Sequence, residues 1–448
     1  AAATTATTKA GEAAASATAA ASAQASAESA RDEALSARNV SISASDMARS
    51  HAAEASDSEA ASLQAKSGSE SARDVAAAAA LSASGRADAA AASAALAAQY
   101  AQQAAATPGH YARDILWAVK GATIPTDRYT LLTPSRLTVN VDDIGLSLAA
   151  QFALDLSLPA TWDTTSGTDC TVAANRAGKD FYFYACLVGG ISLKVLVSAN
   201  AIYPSGYTAA TSRKLGGFHC LCTDVGVISG HPLSGYLAGD ILPASVWDLK
   251  HRHPIANQGR VYDPGTNRWI MIYPPSYLGG KLVPVFGGTV ITGATSPAMD
   301  WYDFCEALAA VGDRPALQYE FMSASSGSNQ GTNISGSANP VTAGGHIDTA
   351  GRRMISSIGV EDACGAWWQW GLEAGGPYYT SGNWVNQYST RTTQQGMGYN
   401  VPNRALLGGV WSLGAGCGSR GSGWYGGPLA LSAGICARGV AEPLAVSL

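Results

Sequence analysis

The first quarter of the chain has almost none of the residues that build a hydrophobic core or interrupt a helix. Residues 1–106 contain no proline, three glycines and one aromatic side chain, Tyr100, and all eleven tryptophans lie after them. Without large apolar groups, this segment cannot form a core of its own. Alanine fills more than two positions in five. With so few breakers, that composition favours helix.

The sequence also lacks the features of a membrane or nucleic-acid-binding protein. No stretch approaches the roughly 18 continuous apolar residues that a membrane helix needs. The formal net charge is -5, and the lysines and arginines form no basic stripe. We therefore predict no membrane insertion and no nucleic-acid partner.

Cysteine spacing gives no sign of a disulfide framework or a metal site. The eight cysteines are scattered through a chain with ample hydrophobic content, so disulfides are unnecessary for stability. In His219-Cys220-Leu221-Cys222, strand alternation would place both thiols on one face. No second ligand pair follows at zinc spacing. We predict reduced cysteines, no metal and no other cofactor.

Residues 1–106 are predicted to form an α-helical coiled-coil stalk. Small apolar residues recur at three- and four-residue steps, and the larger side chains Leu35, Ile42 and Leu63 keep a seven-residue register. A helix of this kind buries little area alone. Two or more copies must therefore pack together along the line of apolar residues. A flexible low-complexity linker is the alternative that composition leaves open.

Residues 107–250 are predicted to form a β-rich intermediate domain. The breakers Thr107-Pro108-Gly109 end the helical pattern, and short β-branched and aromatic runs separated by turn residues follow. This pattern indicates antiparallel strands. The runs are Tyr129–Leu132, Leu137–Val141, Phe181–Leu187 and Ile191–Val197.

Residues 251–448 form the third segment, which is rich in glycine, tryptophan and tyrosine. One amphipathic helix is predicted over Asp300–Val311, because its apolar residues fall at helical spacing. The remainder reads as structured loops on a small scaffold, which suits a binding site. The chain is thus multidomain, with its final domain of the α+β class.

Three stretches of this last segment resemble the formylglycine-generating-enzyme branch of the C-type-lectin fold. They are 301–321, 358–370 and 404–440, in the order that the family has them. The resemblance implies a C-type-lectin-like domain over 251–448. It also raises a cysteine oxidase as an alternative function, but Cys417 stands near the second active-site cysteine and Ser412 where the first would be. We therefore predict that the protein is not an enzyme.

The C-terminal segment further resembles the retroelement-diversified receptor-binding proteins of the major tropism determinant type. In those proteins a fixed frame displays exchangeable side chains, and residues 412–434 contain no Lys, Glu, Gln or Met, none of which adenine mutagenesis of Asn codons can produce. The resemblance implies these receptor-binding positions: Ser412, Leu413, Gly416, Gly423, Tyr425, Gly426, Ala430 and Ser432. It implies these framework positions: Trp367, Trp370, Gly408, Gly409, Trp411, Arg420, Trp424 and Arg438.

Physical roles for the framework follow from residue type. Gly408 and Gly409 allow a backbone turn that bulkier residues forbid, and the tryptophans supply large buried area. Arg420 and Arg438 can each tie loop carbonyls, or carboxylates such as Asp362 or Glu361.

The expected function is host-cell attachment by a phage tail fibre, with a protein or glycan on the host surface as receptor. The protein is expected in the virion, as a homotrimer assembled through the stalk. The chain begins within low-complexity sequence, so we expect a further N-terminal region that contacts other tail proteins. A bacterial surface adhesin that uses the same head is the remaining alternative.

Overall fold

A computed structural model gives the architecture of the protein. It describes residues 2–31, 33, 117–120, 125–134, 137–141, 144–148, 150–163, 168–378, 382, 384–386 and 396–444. Residues 2–31 form a helix, α1, in which every residue is exposed. Most of the predicted stalk, including Leu35, Ile42 and Leu63, lies outside the described residues, so the coiled coil stays a prediction. No helix in the described ranges has the length and apolarity to cross a bilayer.

Within the described residues, three further α-helices and 21 strands follow. The helices are α2 (Ala173–Arg176), α3 (Trp301–Ala309) and α4 (Gln318–Ala324). The strands of the first half are β1 (Ala118–Val119), β2 (Thr130–Leu132), β3 (Leu137–Val141), β4 (Ile144–Leu148), β5 (Ala153–Asp155), β6 (Asp180–Val188), β7 (Ser192–Ser198), β8 (Ser212–His219) and β9 (Trp247–Asp248).

The strands of the second half include two long ones, β15 and β18, that carry the C-terminal sheet. They are β10 (Arg260–Asp263), β11 (Arg268–Met271), β12 (Ser276–Leu278), β13 (Lys281–Val283), β14 (Arg314–Pro315), β15 (Trp368–Tyr378), β16 (Trp384–Asn386), β17 (Met397–Tyr399), β18 (Pro402–Leu407), β19 (Ser422–Gly426), β20 (Ile435–Cys436) and β21 (Gly439–Ala441).

The segment 107–250 is built from antiparallel strands, as its sequence predicts. Its main sheet has the order β7-β6-β8-β9, and β6 pairs with both β7 and β8 in antiparallel register. A three-stranded sheet (β1-β2-β5) and the β3–β4 hairpin complete it. Phe181, Phe183 and Val197 are fully buried between these layers. The four predicted runs correspond to β2, β3, β6 and β7.

Two four-stranded sheets organise residues 251–444. One has the order β10-β11-β21-β14 and the other the order β19-β18-β15-β20. Within the second sheet β15 pairs antiparallel with β18 and parallel with β20. Strands β20 and β21 are separated by only two residues, so the C-terminal segment passes directly from one sheet to the other.

Helix α3 starts where the sequence places it because Asp300 caps it. The backbone N–H of Asp303 donates to the Asp300 carboxylate at 2.9 Å, and the Asp303 side chain accepts from the Asp300 backbone in return. This reciprocal capping satisfies two N–H groups that the helix leaves unpaired. The helix ends at Ala309, and Gly312 follows in the left-handed region with φ +80°.

The two thiols of the Cys220–Cys222 motif do not share a strand face, contrary to the alternation expected. Strand β8 ends at His219, so the pleat does not continue through the motif. Cys220 packs in the core of the preceding sheets, whereas Cys222 packs with residues of 251–444. All eight cysteines are free thiols, and only Cys305 is not buried. Nowhere in the described ranges do three His, Cys, Asp or Glu side chains converge as metal ligands.

Candidate functional site

The candidate site is carried by the connections around the β19-β18-β15-β20 sheet. Strand β18 leads into Gly408-Gly409, then through a short 3-10 turn over Gly414–Gly416 to β19. A loop over residues 427–434 then returns the chain to β20 at the edge of the same sheet. All the predicted receptor-binding residues therefore belong to two loops and one edge strand.

Gly408 and Gly409 make the sharp turn that starts the first loop. Both have φ near +90°, a conformation that side-chain-bearing residues rarely adopt. A Cβ on Gly408 would lie 2.5 Å from the Ala363 carbonyl oxygen, and one on Gly409 would lie 2.7 Å from the Cys417 Sγ. The turn is thus fixed by backbone conformation and by close packing on both sides.

Arg438 joins the two sheets beneath the site. Its Nε donates to the Gln369 side chain on β15 at 2.9 Å. Its Nη1 donates to the carbonyls of Met271 and Ile272 at the end of β11 (2.7 and 2.6 Å), and Nη2 donates to the Glu361 carbonyl at 2.7 Å. Burial lowers the pKa of Arg438 to about 10, so the group stays charged near neutral pH.

The carboxylates of Glu361 and Asp362 are held by residues other than the two framework arginines. Arg353 donates to both Glu361 oxygens at 2.7 and 2.9 Å. The His346 Nδ1 lies 2.9 Å from an Asp362 oxygen, which also accepts from a backbone N–H. Arg420 is exposed and pairs with neither carboxylate. The bracing role expected of Arg420 is wrong, because its place on the outer loop keeps it from the core.

The four predicted framework tryptophans differ in burial. Trp367 and Trp370 are each about 1% exposed, and both pack within the core. Trp411 is half-buried, with its backbone N–H donating to the Ala366 carbonyl at 3.0 Å. Trp424 is also half-buried and packs against β15 at its Gly375-Gly376 pair, where a Cβ on Gly375 would meet the ring at 2.7 Å.

Four of the predicted receptor-binding residues are exposed and two are half-buried. Tyr425 is 63% and Leu413 41% exposed, and the Tyr425 ring rests edge-on against Trp368 with centroids 6.4 Å apart. Ser412 and Gly416 are exposed, and Ala430 and Ser432 are half-buried. Ligand contact by these residues stays a prediction.

Gly423 and Gly426 lie differently, since both are buried in β19. A Cβ on Gly426 would meet the Trp370 ring at 2.7 Å, so the core limits what that position can hold. A Cβ on Gly423 would meet the Tyr425 ring at 2.6 Å, and that exposed ring can move aside. As they stand, the two glycines present no side chain to a partner.

Sequence reasoning overlooked several residues of the site. Leu431 lies between two predicted contact positions and is 46% exposed. Gln330 and Asn333 hold the first loop from outside: the Ser419 N–H donates to the Gln330 Oε1 at 3.1 Å, and the Asn333 amide donates to the Trp411 carbonyl. Leu431 was recognisable from its neighbours, but no sequence pattern marks the two amides.

The Cys417 thiol lacks the surroundings of a catalytic nucleophile. It is buried against the Val410 carbonyl, with Sγ 3.4 Å from that oxygen. Burial raises the pKa of Cys417 to about 11, although the first loop's backbone partly opposes the shift. At neutral pH the group is a thiol, the less reactive form of cysteine.

Known proteins resemble this chain over most of its length. The sequence family described as the second domain of Mtd matches residues 140–248. The U1 and I1 variants of the Major Tropism Determinant superpose on 74% and 73% of this chain and 84% of each of theirs, with TM-score 0.58 and 25% and 26% identity. The tail fiber receptor-binding protein of Bordetella phage BPP-1 is 31% identical over 301 residues, which are 62% of this chain and 75% of that protein. This chain belongs to the major tropism determinant family.

Membership of the major tropism determinant family supports host attachment by a phage tail fibre among the functions that the sequence left open. The relative from Bordetella phage BPP-1 is a tail fiber receptor-binding protein. The structural match also confirms the expected β-rich, C-type-lectin-like fold. The match to the second domain of Mtd ends at residue 248, two residues before the boundary that the sequence suggests. The coiled coil and the domain limits stay predictions.

Proposed function

We propose that this protein is the receptor-binding component of a phage tail fibre and attaches the virion to a bacterial surface through one set of side chains. We call this set the display surface. It comprises Ser412, Leu413, Gly416, Tyr425, Ala430, Leu431 and Ser432. The proposal rests on one observation: these residues project from two loops and from strand β19, and the backbone of the first loop is held by bonds to which no display side chain contributes.

The backbone of the first loop is fixed by contacts that involve no display side chain. Gly408 donates to the Gly421 carbonyl at 2.8 Å, Gly418 donates to the Gly408 carbonyl at 3.1 Å, and Gly421 donates to the Gly418 carbonyl at 2.9 Å. Gln330 and Asn333 add side-chain hydrogen bonds to the same loop. Substituting Ser412 or Leu413 removes none of these bonds. The receptor can therefore change while the fold is retained.

The apolar members of the display surface are the natural anchors for binding. Tyr425 and Leu413 are the largest exposed side chains among the receptor-binding positions that the resemblance implies. Exposed aromatic and apolar side chains carry much of the energy of protein interfaces. Most of the other members are small, which makes the surface shallow. Several heads on one fibre would raise the overall affinity through avidity.

Self-association through the N-terminal segment would provide those several heads. Helix α1 exposes every one of its described residues, and an isolated helix in water gains little from such a surface. Alanine at three- and four-residue steps suits a helix face that packs against other copies of the chain. We propose that the oligomer is a homotrimer. Light scattering on the intact chain should give three times the mass of one chain. A variant lacking residues 1–106 that still formed a trimer would contradict assembly through the stalk.

Adenine-directed recoding of the display surface is proposed from the sequence alone. It requires a reverse transcriptase gene and a near-copy of the segment that codes for 405–440, differing at adenines. Sequencing the flanking DNA tests this, and a flank without either element would contradict it. Binding by the existing protein does not depend on the outcome.

We propose that the protein has no catalytic activity. Cys417, the single thiol near the position of the cysteine pair in formylglycine-generating enzymes, is buried and protonated. The test is oxygen consumption with a cysteine-containing peptide. Consumption that disappears in Cys417→Ala would overturn this part of the proposal.

Binding itself is tested by labelling cells of a panel of bacterial strains with the fluorescent full-length protein. Tyr425→Ser and Leu413→Ser should each change which strains are labelled or weaken labelling at least tenfold. The matched controls are Tyr319→Ser and Leu278→Ser, which alter equally exposed side chains (54% and 53%) outside residues 402–436. Equal labelling by all five proteins would contradict the assignment of the display surface.

A further inference from the structure

Arg420 is the one charged residue between Ala405 and Ala437. This stretch contains the whole display surface, and the rest of it is glycine, serine, alanine, cysteine, proline and larger apolar residues. Any electrostatic recognition by these loops must therefore come from Arg420. Its sign also fixes the sign of the partner group.

The guanidinium of Arg420 is free, unlike those of the other arginines around the site. Arg438 and Arg353 are buried and saturated by carbonyl and carboxylate oxygens. Arg404 stacks on the Trp301 ring with its Cζ 4.0 Å from the centroid. Arg420 is exposed and has no hydrogen bond or ion pair with any other residue that the structure describes. Its planar fork of donors is available to an incoming oxyanion.

The backbone on both sides of Arg420 is held in place. The Ser419 N–H donates to the Gln330 Oε1 at 3.1 Å, and the Gly421 N–H donates to the Gly418 carbonyl at 2.9 Å. Only the Arg420 side chain remains to be ordered when a ligand binds. Less conformational entropy is then lost than on a mobile loop.

Arg420 also stands beside the apolar part of the display surface. Gly421 packs on Gly416, where an added Cβ would lie 2.8 Å from the Gly416 carbonyl oxygen. Gly416 in turn packs under Leu413, since a Cβ there would lie 2.8 Å from the Leu413 Cγ. The loop backbone therefore carries Arg420 close to the segment that presents the exposed Leu413 side chain.

We propose that Arg420 is a specificity-determining residue that binds a carboxylate on a protein receptor, with Leu413 covering an apolar patch beside that carboxylate. This inference rests on the proposed receptor-binding function. A protein fits better than a glycan, because residues 412–434 supply few groups that could hydrogen-bond a sugar ring: besides Arg420 they offer serines and the Tyr425 hydroxyl, and the nearby Gln330 Oε1 already accepts from Ser419. Arginine and tyrosine are enriched among the residues that carry the binding energy of protein interfaces.

The test measures labelling of the best-labelled strain by the full-length protein at low and raised salt. Arg420→Ala should weaken binding about tenfold and Arg420→Glu more, while Arg420→Lys keeps part of the affinity. Raised salt should weaken the native protein more than Arg420→Ala. Lys194→Glu is the control, since it makes the same charge change at an exposed position on β7.

Two outcomes would overturn the inference and leave the proposed function standing. One is loss of labelling in Tyr425→Ser together with unchanged labelling in Arg420→Glu. The other is labelling that survives protease treatment of the cells and disappears after periodate oxidation of their glycans. If protease treatment removes labelling and Arg420→Glu fails to bind, the inference holds. If neither Tyr425→Ser nor Arg420→Glu alters labelling, the proposed display surface itself is wrong.

Discussion

The Nε2 atom of His219 lies 3.0 Å from the hydroxyl oxygen of Tyr273, and both residues are buried. His219 ends β8, whereas Tyr273 follows β11, so the contact joins the 107–250 segment to the C-terminal segment. The His219 Nδ1 faces the Asp180 carboxylate at 3.0 Å, an acceptor when ionised. In the neutral imidazole that carries its proton on Nδ1, Nε2 accepts from the tyrosine hydroxyl.

Replacing that tyrosine tests how far the contact holds the two segments together. Tyr273→Phe leaves the buried His219 Nε2 without a donor, which should lower the free energy of unfolding by about 1–3 kcal/mol. The measurement is urea denaturation. Tyr425→Phe removes a hydroxyl from an exposed ring and should change stability by less than about 0.5 kcal/mol. Equal effects of the two variants would contradict the role given to Tyr273.

Removal of the Arg438 side chain should be among the most damaging changes in the protein. Arg438→Met leaves three carbonyls and the Gln369 side chain without their buried donor, and we expect a loss on the order of 3–5 kcal/mol. Thermal unfolding of the two proteins gives the difference. Arg420→Met makes the same substitution at the surface and should stay within about 0.5 kcal/mol of the native protein. A comparable loss in both variants would refute the idea that Arg438 ties the two sheets.

Gly408 combines an unusual backbone conformation with a steric restriction, and a second glycine separates the two effects. Gly408→Ala strains a φ of +90° and drives a Cβ to 2.5 Å from the Ala363 carbonyl oxygen. Gly331→Ala strains a φ of +69° where no atom lies within 4 Å. Gly331→Ala should cost about 1 kcal/mol, and Gly408→Ala about 3 kcal/mol or more. Chemical denaturation measures the free energy of unfolding of both variants. Equal losses would show that the residues around Gly408 move aside to accommodate the added Cβ.

Stability should depend on pH through His346. Burial disfavours the imidazolium, but the hydrogen bond and charge of Asp362 outweigh burial, and the pKa of His346 is raised. A raised pKa in the folded state means that the protonated pair stabilises the fold fully below the unfolded pKa of about 6.5, and that this stability is lost as pH rises through the folded pKa. His346→Gln should therefore destabilise the protein more at about pH 5.5 than at about pH 8.5. Denaturation at both values measures this, and a deficit independent of pH would exclude the charged pair.

Much of the fold could be predicted from local pattern. The runs that became β2, β3, β6 and β7 are rich in β-branched and aromatic residues, and such runs form strands wherever a core covers them. Helix α3 was predictable because its apolar residues fall at helical spacing, and the structure adds the cap that Asp300 provides at its start. The 3-10 turn over Gly414–Gly416 and the paired registers of β15 carry no comparable local pattern.

The candidate site could be predicted only in part. Motif order marked the segment 404–440 as the candidate site, and residue type suggested that Leu413 and Tyr425 could be anchors; both stay predictions. Residue type gave the same role to Arg420 and Arg438, yet one is exposed and the other is buried. The family resemblance gave one role to Gly416, Gly423 and Gly426, although only Gly416 is exposed. Burial depends on what packs above a residue, which the residue itself does not encode.

The sequence by itself determined the helical composition of the N-terminal segment, the strands of 107–250 and the family to which the C-terminal motifs point. These depend on propensity, periodicity and short-range capping, which act within a few residues. Only the tertiary structure decided which groups brace the loops and which face solvent. Arg438 meets the carbonyl of Met271, 167 positions away in the chain. The packing of the two sheets brings these residues together, so no local sequence pattern near either residue could predict the hydrogen bond.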